Sequence, residues 1–181
     1  MHNTTNLIPV YIILEIKNKI LCNNFFDNFL YFCIIDYMNN KILIVDDTKT
    51  WLLFHTRLIE KLYGKIFDIT TAESAMEGLN KLKAHRDNPF PLIITDLQME
   101  MDFDPMPAGE WLVHNIKTMK EYSSSNIVII SSMNNIEAIA KKLNVNCISK
   151  NMLSSNRLLM KYMLEKLMPF LDKIQDTQIP H

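Results

Sequence analysis

From Lys41 onward, short uninterrupted apolar runs alternate with stretches whose apolar residues recur every three or four positions. The first kind reads as buried strand and the second as amphipathic helix. "KILIV" (41–45) predicts a first strand. Thr48 stands at a cap position ahead of a helix over 49–63, in which Leu52, Leu58, Ile59 and Leu62 share a face and Gly64 follows the end. "KIFDITTA" (65–72) gives a weaker second strand and 74–86 a second helix. "PLIIT" (91–95), "AGEWLVHNIKTM" (108–119), "NIVIIS" (126–131) and 134–143 continue the alternation of strand and helix. "NCISK" (146–150) is a short fifth strand. A last helix over 155–172 sets Leu159, Met163, Leu167 and Leu171 against the sheet. Its surplus apolar residues, Met160, Phe170 and Ile174, are the material for a partner or dimer face, although a monomer is expected over a dimer. Strand–helix units with unbroken apolar strands predict an α/β fold, with a parallel sheet covered on both faces.

Residues 1–37 break this pattern. They are rich in Asn, Ile, Phe and Tyr and have no clear period. "MHNTTN" lacks the positive start of a signal peptide, and "LIPVYIIL" is cut short by Glu15 and Lys17. "FFDNFLYFCIIDY" contains Asp27 and is too short to span a bilayer. The expected organisation is an N-terminal extension over 1–37, disordered or a non-native leader, then a domain over 38–173 that opens on Met38, and a short tail over 174–181.

Composition narrows the function classes. With 48% apolar and 22% charged residues and a net charge of −1, the chain has no basic excess for nucleic acid or a membrane surface. Its three glycines, Gly64, Gly78 and Gly109, lie far apart, which excludes glycine-rich phosphate loops. Cys22, Cys33 and Cys147 have no metal-ligand spacing and are odd in number, which suits reduced thiols in a cytoplasmic protein. The scattered histidines form no ligand motif.

The chemistry gathers at the strand ends. Strand one ends in Asp46–Asp47, strand three in Asp96, strand four in Ser131 and strand five in Lys150. In an open parallel sheet, ligands bind beyond the carboxyl ends of the strands. Each residue alone has an ordinary explanation as a cap, a turn or a solvated end, but their corresponding positions demand a shared one. Clustered carboxylates repel unless a cation compensates them, and a hard divalent ion such as Mg²⁺ fits such oxygens together with waters and phosphate. A lysine among them offsets charge and holds an anion, while one Asp can act as a nucleophile towards a phosphoryl group.

The segments "KILIVDD", "LIITDLQM", "IVIISS" and "CISK", in this order, resemble the receiver domain of two-component response regulators. The resemblance spans 41–172 and includes "TAESAMEGL" after strand two. It implies a flavodoxin-like (βα)5 doubly wound parallel sheet in the order 2-1-3-4-5. It also implies that Asp96 is the phosphoacceptor, that Ser131 and Lys150 bind the phosphoryl group, and that Mg²⁺ is held by Asp46, Asp47, Asp96 and the Gln98 backbone carbonyl. The implied partners are a histidine kinase or histidine phosphotransfer protein and a downstream target protein, with no nucleic acid and no membrane span. With only a short tail after the last helix, the expected type is a stand-alone phosphorylation switch that turns over no external substrate. Two alternatives differ in class. An Asp-dependent phosphohydrolase would place a second acid where Gln98 stands and would need a cap. A phosphate-independent interaction receiver would have no use for an intact acid pocket.

The chain also departs from the family pattern. The segment "LQMEMDFDPMPAG" leading to Gly109 is longer than usual and carries Glu100, Asp102 and Asp104, as a solvated loop or a partner- or metal-tuning one. Cys147 occupies the position of a switching aromatic. Asn151 replaces a proline after the lysine, and the short spacing from Ser131 to Lys150 predicts a shortened fourth helix. These changes fall on the output surface and leave the phosphorylation chemistry in place. Gln98 and Met133 hold positions that tune phosphate lifetime in the family.

Overall fold

A computed structural model describes residues 40–99, 106–168 and 171. The chain divides into Met1–Tyr37 and Met38–His181. Expectations for residues 1–37, for Glu100, Asp102 and Asp104, for Phe170 and Ile174, and for the tail lie outside the described residues.

The elements are β1 (Lys41–Val45), α1 (Lys49–Tyr63), β2 (Asp68–Ala72), α2 (Ala75–Ala84), β3 (Leu92–Thr95) and α3 (Ala108–Thr118). A 3-10 turn at Lys120–Tyr122 leads to β4 (Asn126–Ser131), α4 (Ile136–Leu143), β5 (Asn146–Ser149), α5 (Lys150–Ser155) and α6 (Leu158–Leu167). The five strands form one sheet in the order β2-β1-β3-β4-β5, and every neighbouring pair is parallel.

Alternating side chains of the central strands build two apolar layers. Leu43, Val45, Ile93 and Ile129 join residues of α2, α3 and α4 on one face. Ile42, Ile44, Leu92, Ile94, Val128 and Ile130 join residues of α1, α5 and α6 on the other. Burial on both faces explains why β1, β3 and β4 are unbroken apolar runs. β2 lies at the sheet edge with Ile69, Thr70 and Thr71 only partly buried, so its sequence signal is weaker.

Local chemistry sets the helix ends. Ser74 caps α2 by accepting from the Glu77 N–H at 3.1 Å, while Glu77 Oε2 accepts from the Glu73 N–H at 2.7 Å. Gly64 ends α1 at φ 67° with its N–H on Glu60 O at 2.8 Å, a left-handed φ at which glycine carries no Cβ penalty. Thr48 occupies the cap position of α1, but its hydroxyl makes no capping bond; it donates instead to Asp47 Oδ1 at 3.2 Å. α4 has eight residues, in keeping with the short spacing between Ser131 and Lys150.

The last helix differs from expectation. It starts later, at Leu158, and an unexpected short helix, α5, precedes it directly after β5; the two are separated where Asn156 turns extended at φ −136° and ψ 92°. Asn156 Oδ1 accepts from the Leu158 N–H at 3.1 Å, which restarts the helix. The restart turns Met160, Met163 and Leu164 onto the core, with Leu159 and Leu167 at its margin. Met160, expected on a spare face, is therefore fully buried.

Candidate functional site

The sheet register assembles the site. Val45 lies opposite Thr95, so the next residues, Asp46 and Asp96, emerge side by side. The ladder continues one step past the strands, with the Asp96 N–H on Val45 O at 2.9 Å and the Asp46 N–H on Ala72 O at 3.1 Å. Ser131 pairs with Ser149 at the ends of β4 and β5, and Lys150 follows directly. Parallel pairing thus converts distant sequence positions into one constellation.

Asp46, Asp96, Ser131 and Lys150 are all buried, and Asp47 is half-buried. Asp46 Oδ1 accepts from the Thr48 N–H at 2.9 Å. Asp96 Oδ1 accepts from the Leu97 N–H at 2.6 Å and from the Gln98 N–H at 3.3 Å. The Lys150 ammonium bridges the two acids, with Nζ 2.6 Å from Asp46 Oδ2 and 2.6 Å from Asp96 Oδ2. Burial pushes the Asp46 carboxyl above its ordinary pKa, against the pull of Lys150 and the Thr48 amide.

Asp46, Asp47 and Asp96 each offer an oxygen within 4.8 Å of the others. Three carboxylates against one ammonium leave a formal excess of two negative charges. That donor set is hard, oxygen-only and short of positive charge, so it fits a divalent cation of the Mg²⁺ kind. Gln98 is exposed just beyond Asp96. Ser131 Oγ is buried with no hydrogen-bond partner among the described residues, a condition that costs about 1–3 kcal/mol unless a ligand relieves it.

Gly109 is part of the construction. A Cβ there would lie 1.9 Å from Asp96 O and 2.7 Å from Leu97 Cα, while the Gly109 N–H donates to Leu97 O at 3.0 Å. The start of α3 therefore crosses the Asp96–Leu97 backbone too closely for any side chain. Cys147, at the expected aromatic position, lies opposite Ile129 and is half-buried against the first apolar layer. Burial raises its thiol pKa.

Two residues of α1 escaped the sequence reading. The Trp51 ring lies 4.9 Å from Lys150 Nζ and stacks on His55 at a centroid distance of 5.5 Å. Their i, i+4 spacing directly after the acid pair was the available signal.

No protein-family model and no curated protein matches the chain. Among solved structures, the phosphorylated cyanobacterial phytochrome response regulator RcpA aligns with a TM-score of 0.56 and 24% identity, over 70% of this chain and 91% of that one. The signal receiver domain of the DNA-binding response regulator MerR from Colwellia psychrerythraea 34H gives a TM-score of 0.56 at 19% identity, over 70% and 96% of the two chains. The fold is the receiver fold. The Mn²⁺-bound form of response regulator Rcp1 shares it, with a TM-score of 0.52 and 19% identity over 70% and 91%. In this receiver fold the acid cluster occupies the carboxyl end of the parallel sheet, where the sheet order reverses between β1 and β3.

Proposed function

We propose that the chain is a phosphorylation-controlled switch of a two-component system or phosphorelay. Asp96 receives a phosphoryl group from a histidine kinase or histidine phosphotransfer protein, and the switched surface then binds a target protein. The observation that carries this reading is the Lys150 bridge, 2.6 Å to Asp46 and 2.6 Å to Asp96, beside the buried Ser131 hydroxyl, which has no partner among the described residues. In the transfer, an Asp96 carboxylate oxygen forms a bond to phosphorus as the phosphorus–nitrogen bond of a phosphohistidine breaks, and the imidazole leaves with the electron pair. Lys150 turns its ammonium to a phosphoryl oxygen, and the Ser131 hydroxyl donates to another. Backbone donation from Leu97 and Gln98 fixes the carboxylate plane during the attack.

Asp46, Asp47, Asp96 and the Gln98 carbonyl would hold Mg²⁺. When bound, that ion supplies charge stabilisation for the transferring group. Rcp1 carries Mn²⁺ in a structure of the same fold, which supports a divalent site. No helix of the described residues is long and apolar enough to cross a membrane, and we place the protein in the cytoplasm. An external-substrate phosphohydrolase is disfavoured because Gln98 stands where its second acid would be.

Intact mass after incubation with Mg²⁺ and a small phosphodonor tests the reading. Wild type should gain one phosphoryl group and Asp96→Asn none. Equal labelling of the two would remove Asp96 from its role, and no labelling of wild type would turn the reading towards a phosphate-independent interaction domain.

A further inference from the structure

The site contains an aromatic wall that phosphoryl transfer leaves unexplained. Trp51, in the first turn of α1, sets its ring 4.9 Å from Lys150 Nζ. That ring is itself locked, stacked on His55 at 27° between planes and met edge-on by Phe54 at 5.3 Å. His55 is 1% exposed, and its Nδ1 has no hydrogen-bond partner among the described residues. Burial first, and the nearby Lys150 charge second, hold its pKa down at about 4, so the imidazole is neutral near neutral pH. An uncharged ring under Trp51 leaves the ammonium unopposed, whereas an imidazolium would repel it.

Lysine is a point charge on a flexible four-carbon stem, and its two carboxylates alone do not fix its approach. A π face in a dry setting attracts an ammonium more strongly than an exposed one does. We propose that Trp51 is a positioning residue for Lys150: stacked on His55, its ring holds the ammonium between Asp46 and Asp96 and thereby sets how strongly those carboxylates take a divalent cation. The inference rests on the proposed metal-assisted phosphoacceptor site and adds the residue that tunes it.

The test is a double-mutant cycle in the full chain, with Trp51→Leu, Lys150→Gln and both together, read by Mn²⁺ affinity without any phosphodonor. Loosening the ammonium frees carboxylate oxygens, so Trp51→Leu should tighten Mn²⁺ binding by roughly three- to tenfold, the range a partly desolvated cation–π contact supplies. In the Lys150→Gln background the same change should have no effect. An equal effect in both backgrounds overturns the proposal, because Trp51 would then act without Lys150. Should Lys150→Gln fail to fold, Trp51→Phe is compared with Trp51→Leu: Phe keeps a π face and should retain most of the wild-type affinity, and indistinguishable variants overturn the idea. If wild type binds no Mn²⁺, the metal part of the proposed function fails separately. The inference is then decided by urea unfolding of the same cycle, where a three- to tenfold non-additivity in the unfolding constant supports the Trp51–Lys150 coupling and additivity overturns it.

Discussion

Replacing His55 by Leu should remove an acid sensitivity built into the α1 side of the core. The imidazole is 1% exposed, and its pKa falls from 6.5 to about 4 on folding. A base whose folded pKa is depressed takes up protons in the unfolded state first. Its contribution is therefore present in full above pH ~6.5 and is lost progressively as pH falls towards ~4. The fall from 6.5 to about 4 corresponds to about 3 kcal/mol, of which about 2 kcal/mol is gone by pH ~5. Asp46 works in the opposite direction, since burial raises its carboxyl pKa and the native state binds that proton more readily. Glu77, pulled down by Lys81, adds an acid loss of its own. Both are common to wild type and variant, so the quantity to follow is the difference between their urea-unfolding free energies from pH ~7 to ~4.5. That difference should move by about 2 kcal/mol in favour of His55→Leu by pH ~5. Parallel curves, or an imidazole that titrates near pH 6.5 by NMR, would refute the reasoning.

Two further changes probe the frame around the site. Gly109→Ala forces a Cβ to within 1.9 Å of Asp96 O; displacing that backbone should cost about 3 kcal/mol and slow phosphorylation by the small donor. A variant within about 1 kcal/mol of wild type by urea unfolding would show that the crossing is looser than drawn. Tyr122→Phe removes a buried hydroxyl that donates to Leu82 O at 2.9 Å, a carbonyl that keeps the His85 N–H at 3.1 Å as its other partner. A loss of about 1 kcal/mol, with labelling of Asp96 unchanged, should be seen by unfolding and intact mass together.

What the chain made legible follows from where burial is two-sided. β1, β3 and β4 lie in the middle of the sheet, so their interiors, Ile42–Val45, Leu92–Ile94 and Ile127–Ile130, are apolar and polar residues mark where each run stops. Asp46 follows the run of β1 directly, Asp96 follows Thr95 at the end of β3, and Ser131 closes β4, so the same boundary that defines the strands exposes the chemistry. Lys150 was readable for a related reason, as the residue that ends the run of β5. The short helix α5 was hidden because its six residues hold too few apolar positions to show a period, and the late start of α6 at Leu158 was hidden with it. Only the hydrogen bond from the Leu158 amide to Asn156 Oδ1 shows that the phase is reset, which moves Met160 inward. Trp51 and His55 were hidden for another reason. Their partner, Lys150, stands on the far side of the sequence, and an aromatic pair at i, i+4 reads first as part of a helix's apolar face.

The arrangement of Ser131 and Cys147 bears on how a modified Asp96 would be felt elsewhere. A phosphoryl group brings roughly −1.5 to −2 charge and strong acceptor oxygens into a pocket that offers Lys150 and the Ser131 hydroxyl, the latter without a partner among the described residues. Ser131 is the last residue of β4. Met133, two residues on, packs half-buried on the same apolar layer as Ile136 at the start of α4. A pull on the Ser131 hydroxyl is therefore a pull on the β4–α4 connection. β5 offers only the short, half-buried thiol of Cys147 against that layer, with no ring to swing between two packings. Conformational coupling in close-packed interiors requires an element with two discrete arrangements. On the proposed phosphoacceptor reading, the β4–α4 connection and the eight-residue α4 it leads into are the first element that a pull on Ser131 would reach, while β5 carries no aromatic residue.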